Sequence, residues 1–363
     1  MFDVELTVVA HGAEIGGWSQ ASIDSDVLTP ADAFSLSRPY DDEAFGRLPL
    51  DTEVQILVNG APVLTGFVEE RSGDYSTMTI SGYDKIKRLL AESAPLVRFG
   101  GKSLADVAGE LVAPWFDRVT LSNTRNRDLL RGRGNKARAR GGRLLDEPTD
   151  PRKSDPGDCK WGVLEELLER AGNLAWSSGD GNELVIAAPN YDQEAQHSFT
   201  VTGHDANCRR MRYRESNANR YALIVAAGTG YGDDANHGDA IRGRVGMARD
   251  NPASPDGTGI HFTRPKRLLM PVEARSIAEC ERLAQREQAK RESLAFEVEI
   301  EAYSWGEVRG SAPTLYAYDV VIEASSVNTP IDGLYYVIGR SFQRTRDDEY
   351  TVLRAVPIGV ELV

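Results

Sequence analysis

Hydrophobic and polar residues alternate with period two in a stretch near the start of the chain. Apolar runs at 56–58 and 63–68 are followed by a polar tip at 72–74 and by a further alternating run at 75–80. Alternation of this kind, with turn residues between the runs, is typical of successive antiparallel strands with one buried face. The stretch therefore predicts a small antiparallel sheet.

A second stretch near the end of the chain repeats this order. Apolar runs at 320–322 and 335–339 are followed by an acidic tip at 347–349 and an alternating run at 350–353. A chain that carries one small β-domain twice can occupy equivalent positions in a ring of twice its own symmetry. The repeat therefore favours a structural role over a catalytic one.

The rest of the first unit, residues 1–95, also reads as β-structure. Residues 4–8 alternate, residues 18–23 and 34–37 form further short strands, and Asn59-Gly60 is a strong hairpin turn. Leucine and isoleucine at helical spacing in 86–90 predict a short helix that ends the domain.

A different rhythm predicts a small α+β domain at 96–200. Ser103 with Asp106 is typical of a capping box at the start of a helix. A second helix has Asp158 as a candidate N-cap and Gly172 as a candidate terminator. Two short apolar runs on either side of the turn at 179–182 then predict a hairpin.

The third predicted domain, residues 201–363, returns to β-structure. A buried strand at 221–227 is followed by a long loop at 228–264, a helix at 276–292 and final strands that begin at Phe296. The predicted fold class is therefore α+β and mainly β, with two antiparallel β-domains separated by a small α+β domain.

Composition and charge narrow the function. The chain has 363 residues, 41% hydrophobic content and a formal charge of −13, values of a globular protein with several domains. Acids at Asp3 and Glu5 replace the basic start of a signal peptide, and no long apolar run occurs, so we expect assembly in a cytoplasm without membrane insertion. The negative charge argues against general affinity for duplex DNA.

One segment, residues 125–143, is strongly basic. Its cations are Arg125, Arg127, Arg131, Arg133, Lys136, Arg138, Arg140 and Arg143, and with the single acid Asp128 its charge is about +7. Without an apolar face it is predicted to be a mobile loop in isolation. It could grip phosphate or dock on an acidic protein, and the acidity of the remaining chain favours a protein partner.

The strand at 296–302 places Glu297, Glu299 and Glu301 on one face and apolar residues on the other. These glutamates could form a solvated sheet face. Alternatively, they could line a channel and keep DNA from adhering by like charge.

Sites for cofactors and metals are not favoured. Gly228-Thr229-Gly230 follows a predicted strand, but an acidic loop continues where a phosphate site needs a helix. His197, His204 and Cys208 match no metal-binding spacing. The cysteines Cys159, Cys208 and Cys280 are expected to be reduced, buried apolar residues. No catalytic, cofactor or metal residue is predicted, although an Asp/Glu hydrolase needs only two acids about 5 to 10 Å apart.

Several stretches, in order along the chain, resemble the baseplate hub proteins of tailed bacteriophages, the group that includes the Mu tail protein and the central hub of T4. They are residues 64–68 with 79–86, 163–174 with 181–186, 212–215 with 225–228, and 278–296. The segment 125–153 and the long loop after 228 depart from the family pattern.

The resemblance implies a homotrimer in which two tube-like β-barrel domains of each subunit, six in all, match a sixfold tail tube. Such a hub would adapt the tube to a threefold spike and enclose the channel for DNA ejection, as a structural virion protein of the tail baseplate. The implied partners are the spike, the tube or its initiator, the tape measure protein and the wedge proteins. No enzyme activity, cofactor or sequence-specific nucleic-acid binding is implied.

Two rival functions stay open at the level of sequence. A tail-associated cell-wall hydrolase would use an acid pair, and clearing of peptidoglycan would identify it. A nucleic-acid-binding protein would use the basic segment 125–143, and salt-sensitive retention on DNA would identify it.

Overall fold

A computed structural model gives the structure of the chain. It describes residues 4–96, 102–122, 154, 156–201, 206–228, 244–249, 267–272, 277–309, 312–359 and 362. Within these residues strands greatly outnumber helices, which confirms the predicted α+β, mainly β class.

The strands and helices are numbered in chain order. The strands are β1 (Leu6–Ala10), β2 (Ala13–Ile15), β3 (Gln20–Asp26), β4 (Ala33–Pro39), β5 (Glu53–Val58), β6 (Ala61–Gly73), β7 (Thr77–Asp84), β8 (Arg118–Ser122), β9 (Leu174–Ser177), β10 (Glu183–Ala187), β11 (His197–Thr200), β12 (Cys208–Glu215), β13 (Leu223–Gly228), β14 (Val245–Arg249), β15 (Arg267–Val272), β16 (Phe296–Ala302), β17 (Gly306–Arg309), β18 (Ala312–Leu315), β19 (Val320–Ser325), β20 (Asp332–Arg344) and β21 (Glu349–Pro357). The helices are α1 (Asp42–Arg47), α2 (Ile86–Ala91), α3 (Leu104–Val112), α4 (Lys160–Ala171) and α5 (Ile277–Ser293).

The repeat seen in the sequence is a repeat of strand order. Neighbouring strands in the first copy follow the order β1, β5, β6, β7, β4, β3, and in the second copy the order β11, β19, β20, β21, β16, β12. Each member of the second series holds the position of its counterpart in the first. The two β-copies therefore share one topology.

Local irregularities repeat as well. The pairing of β6 with β7 shifts between Val68 and Glu70, and that of β20 with β21 shifts between Val337 and Gly339. Asp51 and Asp319 both adopt positive φ and donate their amides to the carbonyls of Val68 and Val337. A positive φ is uncommon for a residue other than glycine. Its recurrence at matching positions fixes the residue-by-residue correspondence of the copies.

The two copies join in one sheet instead of forming two separate barrels. Strand β20 pairs with β3, so a 13-stranded sheet runs through both copies, and no closed barrel is found in the described residues. Buried residues of both copies, such as Ile23, Phe34, Ile300 and Phe342, belong to one hydrophobic core beneath this sheet. The barrels implied by the resemblance would thus require further strands from elsewhere.

The inserted domain packs α3 and α4 against the small sheet β8, β10, β9. Ser103 and Asp106 form the predicted capping box of α3, and Gly172 ends α4 in the left-handed conformation, as predicted. The N-cap of α4 is Cys159, however, and not Asp158. Its thiol accepts a hydrogen bond from the amide of Gly162 and so caps the helix, the role predicted for the Asp158 carboxylate.

Two strands lie where the sequence did not place them. Strand β13, predicted as a buried strand of the domain at 201–363, forms a separate sheet with β14 and β15 that is covered by α5. Strand β11 falls inside the range predicted for the insert but pairs with β19 of the second copy. Because this pairing joins the two predicted domains, the division at 95 and 200 stays a proposal.

Candidate assembly surface

The junction between the copies lies along the outer half of β20. The inner half of this strand pairs with β19, and its outer half, from Gly339 to Arg344, pairs with β3. On the polar face Gln343 donates to the hydroxyl of Ser22 over 2.8 Å. On the opposite face Phe342 lies across from Ile23, and both side chains are fully buried. The junction is therefore part of the buried core that the two copies share.

Arg340 is the charged residue buried at this junction. Its guanidinium donates to the Tyr316 carbonyl over 3.1 Å and to the Ser25 hydroxyl over 3.3 Å, and it lies 4.3 Å above the Phe342 ring. Burial lowers the pKa of this guanidinium from its ordinary value, because the charged form loses solvation. Arg340 thus connects β20 to β3 and to the turn before β19.

The carboxyl group of Asp32 lies near this guanidinium, and that of Asp84 lies near Asp32. Burial raises the pKa of Asp32 to about 6, although its hydrogen bonds from Ser25 and from the Asp26 amide oppose the shift. Burial and the nearby Asp32 also raise the pKa of Asp84 well above its usual range. Asp84 accepts from the Ile86 amide at 3.0 Å and is 1% exposed. Asp84 is thus enclosed by protein and Asp32 is partly buried, which does not favour this pair as the acids of a hydrolase that must reach peptidoglycan.

The three predicted glutamates project from one face of β16, as the alternation indicated. Glu297 contacts Arg354 at 2.7 Å, Glu299 contacts Arg212 at 3.0 Å, and Glu301 pairs with Arg210. Each acid is thus matched by an arginine from a neighbouring strand. Within one chain this face is a ladder of opposite charges and not an acidic wall, and its place in a lumen stays a proposal.

The polar face continues into the first copy with small hydroxyl residues. Ser22 lies across from Ser35, which lies across from Ser81, and Ser37 bonds the Thr79 hydroxyl over 2.8 Å. The eight strands from β12 through β20 and β3 to β6 therefore share one polar face opposite the apolar core.

Two strand edges of this surface are without a neighbour in the described residues. Strand β12 pairs on one side only, with β16. The outer half of β6, beyond Phe67, pairs with β7 but not with β5. Unpaired strand edges present free backbone groups that can accept another strand.

The other sites predicted from the sequence lie mostly outside the described residues or form no binding site among them. The basic segment 125–143, with its arginines and Lys136, lies outside the described residues. So does most of the loop 228–264, of which Gly228 ends β13 and residues 245–249 form β14. His197 contacts Glu307 at 2.9 Å, and no group of three metal-binding side chains occurs among the described residues.

The cysteines are free, as expected. Cys208 and Cys280 are buried, whereas Cys159 is half-buried at its cap position. Burial raises the pKa of the Cys208 thiol to about 11. Among the described helices none has the length and apolarity needed to span a bilayer.

Sequence reasoning missed the junction and the charge ladder. The ladder had a readable signal, since Arg210, Arg212 and Arg214 alternate in the same way as the glutamates of β16. The junction had none, because nothing in the sequence around Arg340 or Asp84 indicates that strands at opposite ends of the chain pair.

Comparisons with known proteins agree with the resemblance. Residues 3–83 match the model of the N-terminal domain of the Mu phage baseplate assembly protein GpP-like family. A comparison with curated proteins finds no match.

Solved structures match along the whole chain. A tail protein from Neisseria meningitidis is 21% identical with a TM-score of 0.79, covering 99% of this chain and 98% of its own. The 43 kDa tail protein of prophage MuSo2 from Shewanella oneidensis is 18% identical with a TM-score of 0.76, covering 98% of both.

A third, more distant structure is the E. coli c3393 protein, a component of the type VI secretion system described as similar to the T4 tail proteins gp27 and gp5. It is 10% identical with a TM-score of 0.54, covering 97% of this chain and 77% of its own. The first domain thus matches a Mu-type baseplate family, and the whole chain has the fold of phage tail and hub-like structural proteins, which confirms the resemblance.

Proposed function

We propose that the protein is a homotrimeric baseplate hub of a phage tail or a tail-derived particle. The observation that carries this proposal is the duplicated strand order together with the internal junction of β20 and β3. One chain thereby supplies two equivalent units of a ring. Three chains supply six units, which is the number that a sixfold tube requires at its end.

The polar face of the sheet is the face that would line the channel. Its apolar opposite is buried in the core, so it cannot face a lumen. Hydroxyl groups and paired charges offer neither a net positive surface to hold phosphate nor an apolar one to hold protein. DNA or an extended protein would therefore pass through such a channel without binding strongly to its lining.

The remaining partners follow from the same role. The ring would contact a tube or tube initiator on one side and a threefold spike on the other, with the tape measure protein in the lumen and wedge proteins outside. The segment 125–143 would dock on an acidic surface of one of these neighbours. The place of action is the virion, after assembly in the host cytoplasm, and the role includes no catalytic step.

The mass of the purified full-length protein in solution tests the proposal. Light scattering after size exclusion should give three copies per particle, and averaged end-on images should show a ring with six similar lobes. A particle that stays monomeric at high protein concentration, or a ring of another copy number, would contradict the proposed hub.

A further inference from the structure

The strand pairings of the two copies match row by row across the sheet. In the first copy one row runs from Ser22 to Ser35 to Ser81. In the second copy the corresponding row runs from Arg212 to Glu299 to Arg354. Strand β12 therefore holds in the second copy the position that β3 holds in the first.

The same correspondence applies to the partner strands. Counting from the shared bulge, Gly339 corresponds to Glu70 and Ser341 to Ser72. Within the chain, β3 covers the outer half of β20. The equivalent contact, β12 on the outer half of β6, does not occur within one chain.

We propose that β12 of one chain adds to the outer half of β6 of a second chain. The two strands would be antiparallel, with Ser72 opposite Arg214. The register is that of the internal junction, in which Ser341 lies opposite Asp24. This inference rests on the proposed function, because it names the contact that would close the ring. Each ring would then alternate one internal and one intermolecular junction of the same geometry.

Charges on the two edges are complementary in this register. Arg71 lies opposite Glu215, and Arg214 lies diagonally across from Glu70. Glu70 and Arg214 are exposed, and neither has an ion-pair partner in the part of the chain that the structure describes. The proposed contact would supply one for each of them.

Aromatic surface is complementary as well. Tyr213 is 44% exposed and stacks on Phe296, with ring centres 5.8 Å apart. On the other edge Tyr40, 37% exposed, packs against Phe45 beside Gly73. The register places Tyr213 opposite Gly73, beside the Tyr40 and Phe45 rings that lie over this glycine. The internal counterpart of Tyr213 is Ile23, which is fully buried, and the proposed contact would bury the Tyr213 ring in the same way.

The alternative occupant, a twofold dimer through β12 alone, is disfavoured by charge. Strand β12 carries Arg209, Arg210, Arg212 and Arg214. Two antiparallel copies of this strand would bring the arginines together, and like charges across strands are destabilising. A head-to-tail contact is therefore favoured, and such contacts close into rings when the rotation permits.

Cysteine pairing in the full-length protein tests the register. Ser72→Cys combined with Arg214→Cys should form intermolecular disulfides under mild oxidation, because directly opposed residues on one face bring their Cβ atoms within reach. Non-reducing gels should show dimer and trimer bands, with the trimer dominant. The matched control is Ser72→Cys with Glu215→Cys, which points the thiols to opposite faces and should link far less. The unsubstituted chain and the single-cysteine variants measure the background from the native thiols.

The outcomes separate this inference from the proposed function. A trimer by mass whose Ser72/Arg214 pair links no better than the control overturns the strand pairing and leaves the hub intact. Efficient linking in particles other than trimers supports the pairing and overturns the proposed copy number. A monomer at all concentrations overturns both.

A charge exchange gives an independent readout. Glu70→Arg or Arg214→Glu alone should weaken association about tenfold, and the double exchange should recover most of it. Circular dichroism and melting confirm that each variant is folded, as expected for exposed positions. Additive losses without recovery would contradict the contact.

Discussion

Strands β6 and β20 are built alike but end differently. Both are long, both have a bulge at the same place, and both pair over their inner halves with the preceding strand. Beyond the bulge β20 is covered by β3, whereas β6 has an open edge in the described residues. The covered edge therefore supports the proposal that the open edge of β6 accepts a strand in the same way.

The largest expected difference between the two edges concerns their matching arginines. Arg340→Met should lower the free energy of unfolding by about 3 kcal/mol, because it removes the buried hydrogen bonds to the Tyr316 carbonyl and the Ser25 hydroxyl and the contact with the Phe342 ring. The equivalent Arg71 donates to the Phe45 carbonyl over 3.2 Å at an only partly buried position. Arg71→Met should therefore cost about 1 kcal/mol or less.

Urea unfolding of both variants at one protein concentration measures these values. Equal losses would mean that the internal junction is no more tightly packed than the open edge. A larger loss for Arg71→Met would reverse the comparison.

A glycine gives the second comparison. Gly82 corresponds to Ala355 of the second copy, and a Cβ at Gly82 would collide with the Phe67 carbonyl and the Phe34 ring. Gly82→Ala should cost roughly 2 kcal/mol, since strands β6 and β7 would have to separate. Ala355→Gly should cost about 1 kcal/mol through chain entropy and lost burial. Thermal unfolding checks both, and tolerance of Gly82→Ala would show that the two copies accept the same spacing.

The sequence predicted the features that depend on one-sided burial. Alternation at 63–68 and 335–339 located strands because buried and exposed faces leave a period of two. The pairing of β3 with β20 left no such trace, because register between distant strands depends on the packing of the whole core. The apolar run at 221–227, which contains β13, would suit the large sheet or a separate one, so the sequence did not show which sheet β13 joins.

Predicted site residues show the same division. The single face of Glu297 and Glu299 followed from alternation, but their arginine partners required knowledge that β12 and β21 flank β16. The acid pair Asp32 and Asp84 was unreadable, since burial of an aspartate is decided by tertiary contacts and not by its neighbours in sequence.

This acid pair belongs to the covered junction and predicts a pH dependence. Burial raises the pKa of both carboxyls, so the stabilisation from protonating them in the folded state is complete below about pH 4 and is lost as the pH rises through the folded-state pKa of each group, which for Asp32 is about 6. Asp84→Asn, which mimics the protonated acid, should thus gain about 1–2 kcal/mol relative to wild type between pH 4 and 7.

The matched control is Asp74→Asn at the tip of the open hairpin. Hydrogen bonds from the Ser76 amide and hydroxyl and from the Thr77 amide lower the pKa of Asp74, so stabilisation from its charge is present at neutral pH and lost in acid. The stability of this variant relative to wild type should therefore change with pH in the opposite direction. Denaturant titrations at pH 4, 5, 6 and 7 measure how the stability of each variant relative to wild type changes with pH. The same direction of change in both variants would contradict the proposed role of the acid pair.

The smallest expected effect concerns the charge ladder near the open β12 edge. Arg212→Gln removes the contact with Glu299, but both side chains are more than a third exposed and solvent screens such pairs. The loss in unfolding free energy should be about 0.2–1 kcal/mol and should shrink in high salt. The same change at Arg214, which has no ion-pair partner among the described residues, should leave the stability of the separate chain unaltered while weakening association. Unfolding and mass measurements on the two variants therefore distinguish Arg212, which stabilises its own chain, from Arg214, which contacts a second chain. Equal effects of the two substitutions on association would assign both arginines to the same role.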